Sequence, residues 1–107
     1  MSLHTNRAAE VIARAAAEFI ERNAGRDSLI TVTRTVASAR GDHYTVFVSV
    51  LPDDKTRPAL SFLSRQREDF SDYLKRHARL RPMPRIDFAL DEGEKNRQRL
   101  DELSQDL

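Results

Sequence analysis

The sequence of 107 residues contains no cysteine. That absence excludes a disulfide scaffold, a thiolate zinc site and a cysteine nucleophile. Glycine is scarce, at three residues, and neither a phosphate-loop string ending in Gly-Lys-Ser/Thr nor Gly-x-Gly-x-x-Gly occurs. Phosphate-cradling loops and dinucleotide folds are therefore excluded. No stretch approaches the roughly 18 consecutive apolar residues of a membrane helix. The opening Met1-Ser2-Leu3-His4-Thr5-Asn6-Arg7 leads into no apolar segment, because Glu10 and Arg14 interrupt the residues behind it. No secretory signal and no membrane partner are expected, and the cytoplasm is the expected compartment. An excess of charge is lacking too: 18 Lys and Arg stand against 17 Asp and Glu, for a net charge of +1. Taken as a sum, that balance speaks against nucleic-acid binding, but binding depends on where charge lies.

What is present suits one domain with a modest core, since 39% of residues are hydrophobic and 33% are charged. Residues 6–23 read as a helix: Ala8, Val11, Ile12, Ala15, Ala16, Phe19 and Ile20 recur at three- and four-residue steps. Thr5 or Asn6 caps its start and Gly25 is the expected left-handed stop. Residues 28–39 are rich in β-branched side chains, and Arg40-Gly41-Asp42 signals a turn. His43 to Leu51 alternates, with Tyr44, Val46, Val48 and Val50 on one face and Thr45, Phe47 and Ser49 on the other. This predicts an antiparallel hairpin. After Pro52-Asp53-Asp54-Lys55, Thr56 is the expected cap of a helix with Pro58 in its first turn. Its apolar stripe runs through Leu60 and Leu63 to Phe70, Tyr73 and Leu74, with no apolar residue from Ser64 to Asp69. That gap allows one long helix or two helices broken near Arg67-Glu68-Asp69, with Asp69 capping the second. Pro82 and Pro84 stop the helical run, and Ile86, Phe88 and Leu90 alternate as a third strand. Residues 94–105 read as a thin-striped helix carrying Leu100 and Leu103, with Leu107 beyond. Helices on one face of a small sheet make an α+β sandwich.

Charge is distributed unevenly along this chain. Residues 1–60 hold 8 basic and 7 acidic residues, 61–85 hold 7 basic and 3 acidic, and 86–107 hold 3 basic and 7 acidic. The middle segment carries Arg65, Arg67, Lys75, Arg76, Arg79, Arg81 and Arg85. At about 100° per residue, Lys75, Arg76 and Arg79 share one flank of a helix end. Cations there stabilise the helix by about 0.3–1 kcal/mol each when exposed. They also suit phosphate contact, because arginine's planar fork matches phosphate oxygens.

No catalytic constellation is visible. His4, His43 and His77 fall in three separate elements without metal-ligand spacing. Asp53-Asp54 serves a turn and a helix start. Ser61 and Ser64 lack a nucleophile elbow. The expectation is a protein that is not an enzyme and holds no metal or cofactor. Arg34 interrupts an alternating strand, as a salt-bridged residue at a bulge or as an outward RNA contact. Phe70, Tyr73 and Leu74 are expected in the core, and Phe47 in strand-face packing.

Four stretches together resemble one family, ribosome-binding factor A, a bacterial small-subunit maturation factor. They are Val11-Ile12-Ala13-Arg14 with Phe19-Ile20; Ile30-Thr31-Val32-Thr33-Arg34-Thr35-Val36-Ala37-Ser38; Tyr44-Thr45-Val46-Phe47-Val48-Ser49-Val50-Leu51 before Pro52-Asp53; and Phe70 through Lys75 followed by Arg79-Leu80-Arg81-Pro82-Met83-Pro84-Arg85-Ile86-Asp87-Phe88. They span about residues 6–90. The resemblance implies a KH-like domain of type II topology, helix-strand-strand-helix-helix-strand, and is carried no further than Gly93; the chain then divides into that domain over 1–93 and, from its own residues, a polar, acidic tail over 94–107. It implies a non-catalytic assembly factor that binds the small ribosomal subunit and its rRNA during late maturation, in rRNA processing and cold adaptation. Other assembly factors are expected among its partners, and the protein is expected to be a monomer. The family's interhelical kink is written Ala-x-Gly; the aligned Arg67-Glu68-Asp69 keeps neither residue. The expected RNA-binding residues are Arg65, Arg67, Lys75, Arg76, Arg79, Arg81 and Arg85. The alternative is a protein-interaction module whose basic edge pairs with an acidic partner.

Overall fold

In the computed structural model, residues 3–105 are described; the side chains of 3–6, 98, 99 and 101–105 lie outside that description. The chain runs α1 (Leu3–Asn23), β1 (Leu29–Ala37), β2 (His43–Leu51), a single 3-10 turn (Asp53–Lys55), α2 (Thr56–Arg65), α3 (Arg67–His77), β3 (Arg85–Leu90) and α4 (Glu92–Gln105). The three strands form one sheet in the order β1-β2-β3, with β1 antiparallel and β3 parallel to the central β2. Parallel pairing needs a long crossover, which α2 and α3 supply. This is the α+β, KH-like type II arrangement, with α1 to α3 on one face of the sheet.

The alternation of β2 decides which face is covered. Tyr44, Val46, Val48 and Val50 are buried, and they meet Ile12, Ala16, Phe19 and Ile20 of α1 and Leu63, Phe70 and Leu74 of the crossover. Phe70 lies centrally, its ring 5.4 Å from Phe19 and 5.6 Å from Phe88. Tyr73 packs edge-on against Phe19 at 5.5 Å. The stripe of Phe70, Tyr73 and Leu74 is therefore core, as its spacing indicates.

Five local boundaries differ from the sequence expectations. Gly25 does not take a left-handed conformation; among the described residues only Gly41 does, at φ 73° in the hairpin turn. Asn23 closes α1 instead, its Nδ2 donating to the Phe19 carbonyl at 2.8 Å, beside the Ala24 N–H to Ile20 bond. Thr56 is the first helical residue rather than a cap, because the 3-10 turn runs straight into α2. Asp69 does not cap α3. The break falls at Gln66, whose N–H bonds back to Phe62 and Leu63 while its carbonyl accepts from Phe70. No side chain caps α3; Glu68 and Asp69 support its first turn through the helix dipole. The last helix begins at Glu92, earlier than its apolar spacing suggests. Leu100 is exposed on it; the side chain of Leu103 and all of Leu107 fall outside the described side chains. At the other end of the chain α1 begins at Leu3, so Thr5 and Asn6 lie inside the helix and do not cap it. Among the described residues, no helix is long and apolar enough to cross a membrane.

Candidate nucleic-acid interface

The basic residues lie from the end of α2 through α3 and the link after it to the edge strand β3, and one carboxylate engages one of them. Asp87, paired opposite Thr45 in the sheet, accepts a hydrogen bond from Arg67 Nη1, and its Oδ2 lies 2.7 Å from His43 Nε2. One side chain thereby ties β3 to the first residues of α3 and β2. The Arg67 guanidinium holds the Asp87 carboxyl below the usual carboxylate range, with His43 adding to it and partial burial opposing. Asp87 thus compensates the charge of Arg67.

The other cations stand differently. Arg65 Nη1 donates to the Ser61 hydroxyl one turn back, 2.7 Å away, a neutral partner that leaves its charge in place. Lys75, Arg76, Arg79, Arg81 and Arg85 are exposed, and none has an ion pair among the described residues. The structure does not collect them into one patch. Lys75 and Arg85 line an open groove of about 370 Å³ with Arg67, Ser71 and Pro84, between α3 and β3. Arg76 lines a second groove of about 410 Å³ between α3 and α1, with His77, Tyr73 and Arg22. Arg79 and Arg81 stand on the link that leaves α3, and Arg65 ends α2.

Arg22 is a cation the sequence reading does not single out. Its guanidinium sits 5.9 Å from the centre of the Tyr73 ring, and His77 packs on that ring at 4.2 Å. The tyrosine hydroxyl donates to Glu18 at 3.2 Å. Nothing local in the sequence marks Arg22, because only the packing of α1 on α3 brings it there.

The sequence profile of the ribosome-binding factor A family matches residues 4–104. The chain belongs to that family. No curated protein matches it. Among solved structures it is similar to the crystal structure of ribosome-binding factor A from Thermus thermophilus, at 28% identity over 80% of this chain and 94% of that one, with a TM-score of 0.71. It is also similar to the Thermus thermophilus ribosome-binding factor A coordinates fitted into a cryo-electron microscopy map of a 30S complex, at 29% identity, 77% and 89% coverage and a TM-score of 0.66. A solution structure from Thermotoga maritima shares the fold at 21% identity, 85% and 86% coverage and a TM-score of 0.62.

A second carboxylate secures the join between β1, β3 and α4 in this ribosome-binding factor A fold. Arg34 follows a β-bulge between Val32 and Arg34, as its place in the strand suggests. Its guanidinium lies over the Phe47 ring at 4.3 Å and its Nε is 3.4 Å from Asp91 Oδ2. Asp91 is buried and also accepts from the Thr33 hydroxyl at 2.6 Å and from the Glu94 N–H at 3.0 Å. It therefore caps α4 and pins the bulge at once. The Asp91-x-x-Glu94 spacing carries the helix-start signature that would have located this cap in the sequence. The Thr33 hydroxyl chiefly holds the Asp91 carboxyl below the usual range, with the Glu94 N–H and Arg34 assisting against burial.

A carboxyl depressed in the folded state contributes stability above its unfolded value and loses it as pH falls through the folded one. Asp91→Ala removes a cap and leaves the Thr33 hydroxyl without its carboxylate, which costs roughly 2 kcal/mol at neutral pH. Thermal unfolding of both proteins should show a constant gap down to about pH 5 and a narrowing gap below about pH 4. A gap independent of pH would contradict the assigned role of the carboxylate.

Proposed function

We propose that this protein is a non-catalytic assembly factor that binds the small ribosomal subunit through its rRNA. It acts late in subunit maturation, in the cytoplasm, in support of rRNA processing and of growth in the cold. The observation that carries this reading is the row of uncompensated cations around the end of α3 and the Pro-containing link. Family membership agrees with it, as does the related Thermus protein fitted into a 30S complex. Arg76, Arg79, Arg81, Lys75 and Arg85 are the principal phosphate contacts; Arg65 and Arg67 sit at the margin, Arg67 with its charge already met by Asp87. Structured RNA is read mainly by shape and backbone contacts, which suits a surface with no base-reading loop. The KH-like domain over 1–93 binds as a monomer and alongside other assembly factors, and the acidic stretch 86–107, with 7 acidic and 3 basic residues, leaves the attraction to the basic segment before it.

Phosphate contacts release counterions, so affinity falls steeply with salt. Co-sedimentation with purified small subunits at increasing salt tests the reading. With five principal contacts, affinity should drop by at least about 100-fold between roughly 50 and 200 mM salt. Binding that is flat across that range would overturn RNA as the partner.

A further inference from the structure

The two grooves flank the same helix, and their chemistry is alike. Carboxylates line both: Glu68 and Asp87 on the β3 side, Asp69 and Asp72 on the α1 side, with Asp72 at the middle of α3 one turn before Arg76. Each also holds two cations with no ion pair among the described residues: Lys75 and Arg85 on one flank, Arg76 and Arg22 on the other. Asp87 is already engaged by Arg67 and His43. The exposed end of α3 is therefore a ridge with a cation row on both sides. The helix C-terminus itself repels phosphate, so any attraction comes from these side chains. The Tyr73 ring holds the α1 flank in place, through Arg22 above it and His77 packed on it.

A helix with its side chains is about 10–12 Å across. Lys75 and Arg76 are consecutive and point about 100° apart around it, into different grooves, with Arg85 of β3 beside one and Arg22 of α1 beside the other; two pairs that face different sides suit two backbones across a groove. Double-helical RNA offers a wide, shallow minor groove bordered by two phosphate tracks, which a protein reads by shape. We infer that the C-terminal end of α3 straddles a double-helical RNA element, with Lys75 and Arg85 on one strand and Arg22 and Arg76 on the other. The inference rests on the small-subunit reading above and adds the class of RNA element and a new contact residue, Arg22.

The lack of native cysteine allows single cysteines to carry a tethered hydroxyl-radical source. Asn23→Cys marks the α1 groove and Glu68→Cys the β3 groove; both positions are exposed. Each full-length variant is bound to purified small subunits and the cleaved rRNA positions are mapped. The expected result is cleavage from the two sites on opposite strands of one rRNA helix. Cleavage of a single strand, or of an unpaired segment, overturns the straddling arrangement and leaves small-subunit binding standing. Variants that sediment with the subunit yet cleave no RNA overturn the straddling arrangement and, with it, rRNA as the contact in the proposed function. In parallel, Arg22→Ala with Arg76→Ala should flatten the salt dependence of subunit binding by about two counterions, as should Lys75→Ala with Arg85→Ala. A response from only one flank also overturns the inference.

Discussion

Replacing Arg76, Arg79 and Arg81 together by glutamate should abolish binding to the small subunit at physiological salt while leaving the fold intact. All three side chains are exposed, and none has an ion pair among the described residues. Their reversal therefore removes no internal contact except a favourable term at the α3 C-terminus, about 0.3–1 kcal/mol for an exposed cation. Against RNA the change is far larger. Three attractive contacts are lost and three repulsive charges face the phosphates. At about 1 kcal/mol or more per charged hydrogen bond, the affinity falls by at least about 100-fold. The salt dependence should flatten by roughly three counterions. Sedimentation binding with circular dichroism on the same sample separates the two effects. A variant that is folded and still binds would place the interface elsewhere.

Phe70→Ala should give the largest loss of stability of any single truncation in the core. The ring is wholly buried and contacts both Phe19 of α1 and Phe88 of β3, so it joins the layers on either side of α3. Truncations of this kind cost about 3–5 kcal/mol, the removed transfer energy plus the cavity left behind. A small domain has about 5–15 kcal/mol in total. Each kilocalorie moves the midpoint by about 4–8 °C, so the melting temperature should fall by at least about 12 °C. Leu100→Ala, at an exposed position of α4, is the control and should change stability by less than about 0.5 kcal/mol. Similar melting curves for the two variants would contradict the placement of the core. Because α3 carries the cation ridge, Phe70→Ala should also weaken subunit binding wherever unfolding sets in.

Much of this fold is legible in the sequence because periodicity reports burial directly. Strict alternation marks β2 at its observed bounds, His43 to Leu51, and Arg34 in an alternating strand marks the bulge with its ion pair. What local pattern misses depends on contacts between distant residues. The stop of α1 is made by the Asn23 side chain reaching back, which the nearby Gly25 obscures. The break between α2 and α3 sits at Gln66, where backbone bonds bridge the turn without a capping residue to announce it. The family resemblance supplies the topology, including the crossover that makes β3 parallel. The site divides in the same way. The seven cations can be counted in the sequence, and their density points to phosphate. Their sorting cannot be counted: Asp87 reaches Arg67 only through the β2–β3 register and the packing of α3, and Arg22 joins Arg76 only because α1 lies against α3. The net charge of +1 conceals all of this, since compensation is local.

The central claim is that the end of α3 and the link to β3 bind small-subunit rRNA. Ultraviolet crosslinking of the full-length protein in an extract of its own cells, with identification of the joined peptides and nucleotides, tests it most directly. The predicted result is crosslinks from peptides within residues 65–85 to small-subunit rRNA, lost on nuclease treatment. Crosslinks confined to proteins, and indifferent to nuclease, would contradict it and make the basic edge a surface for an acidic protein partner.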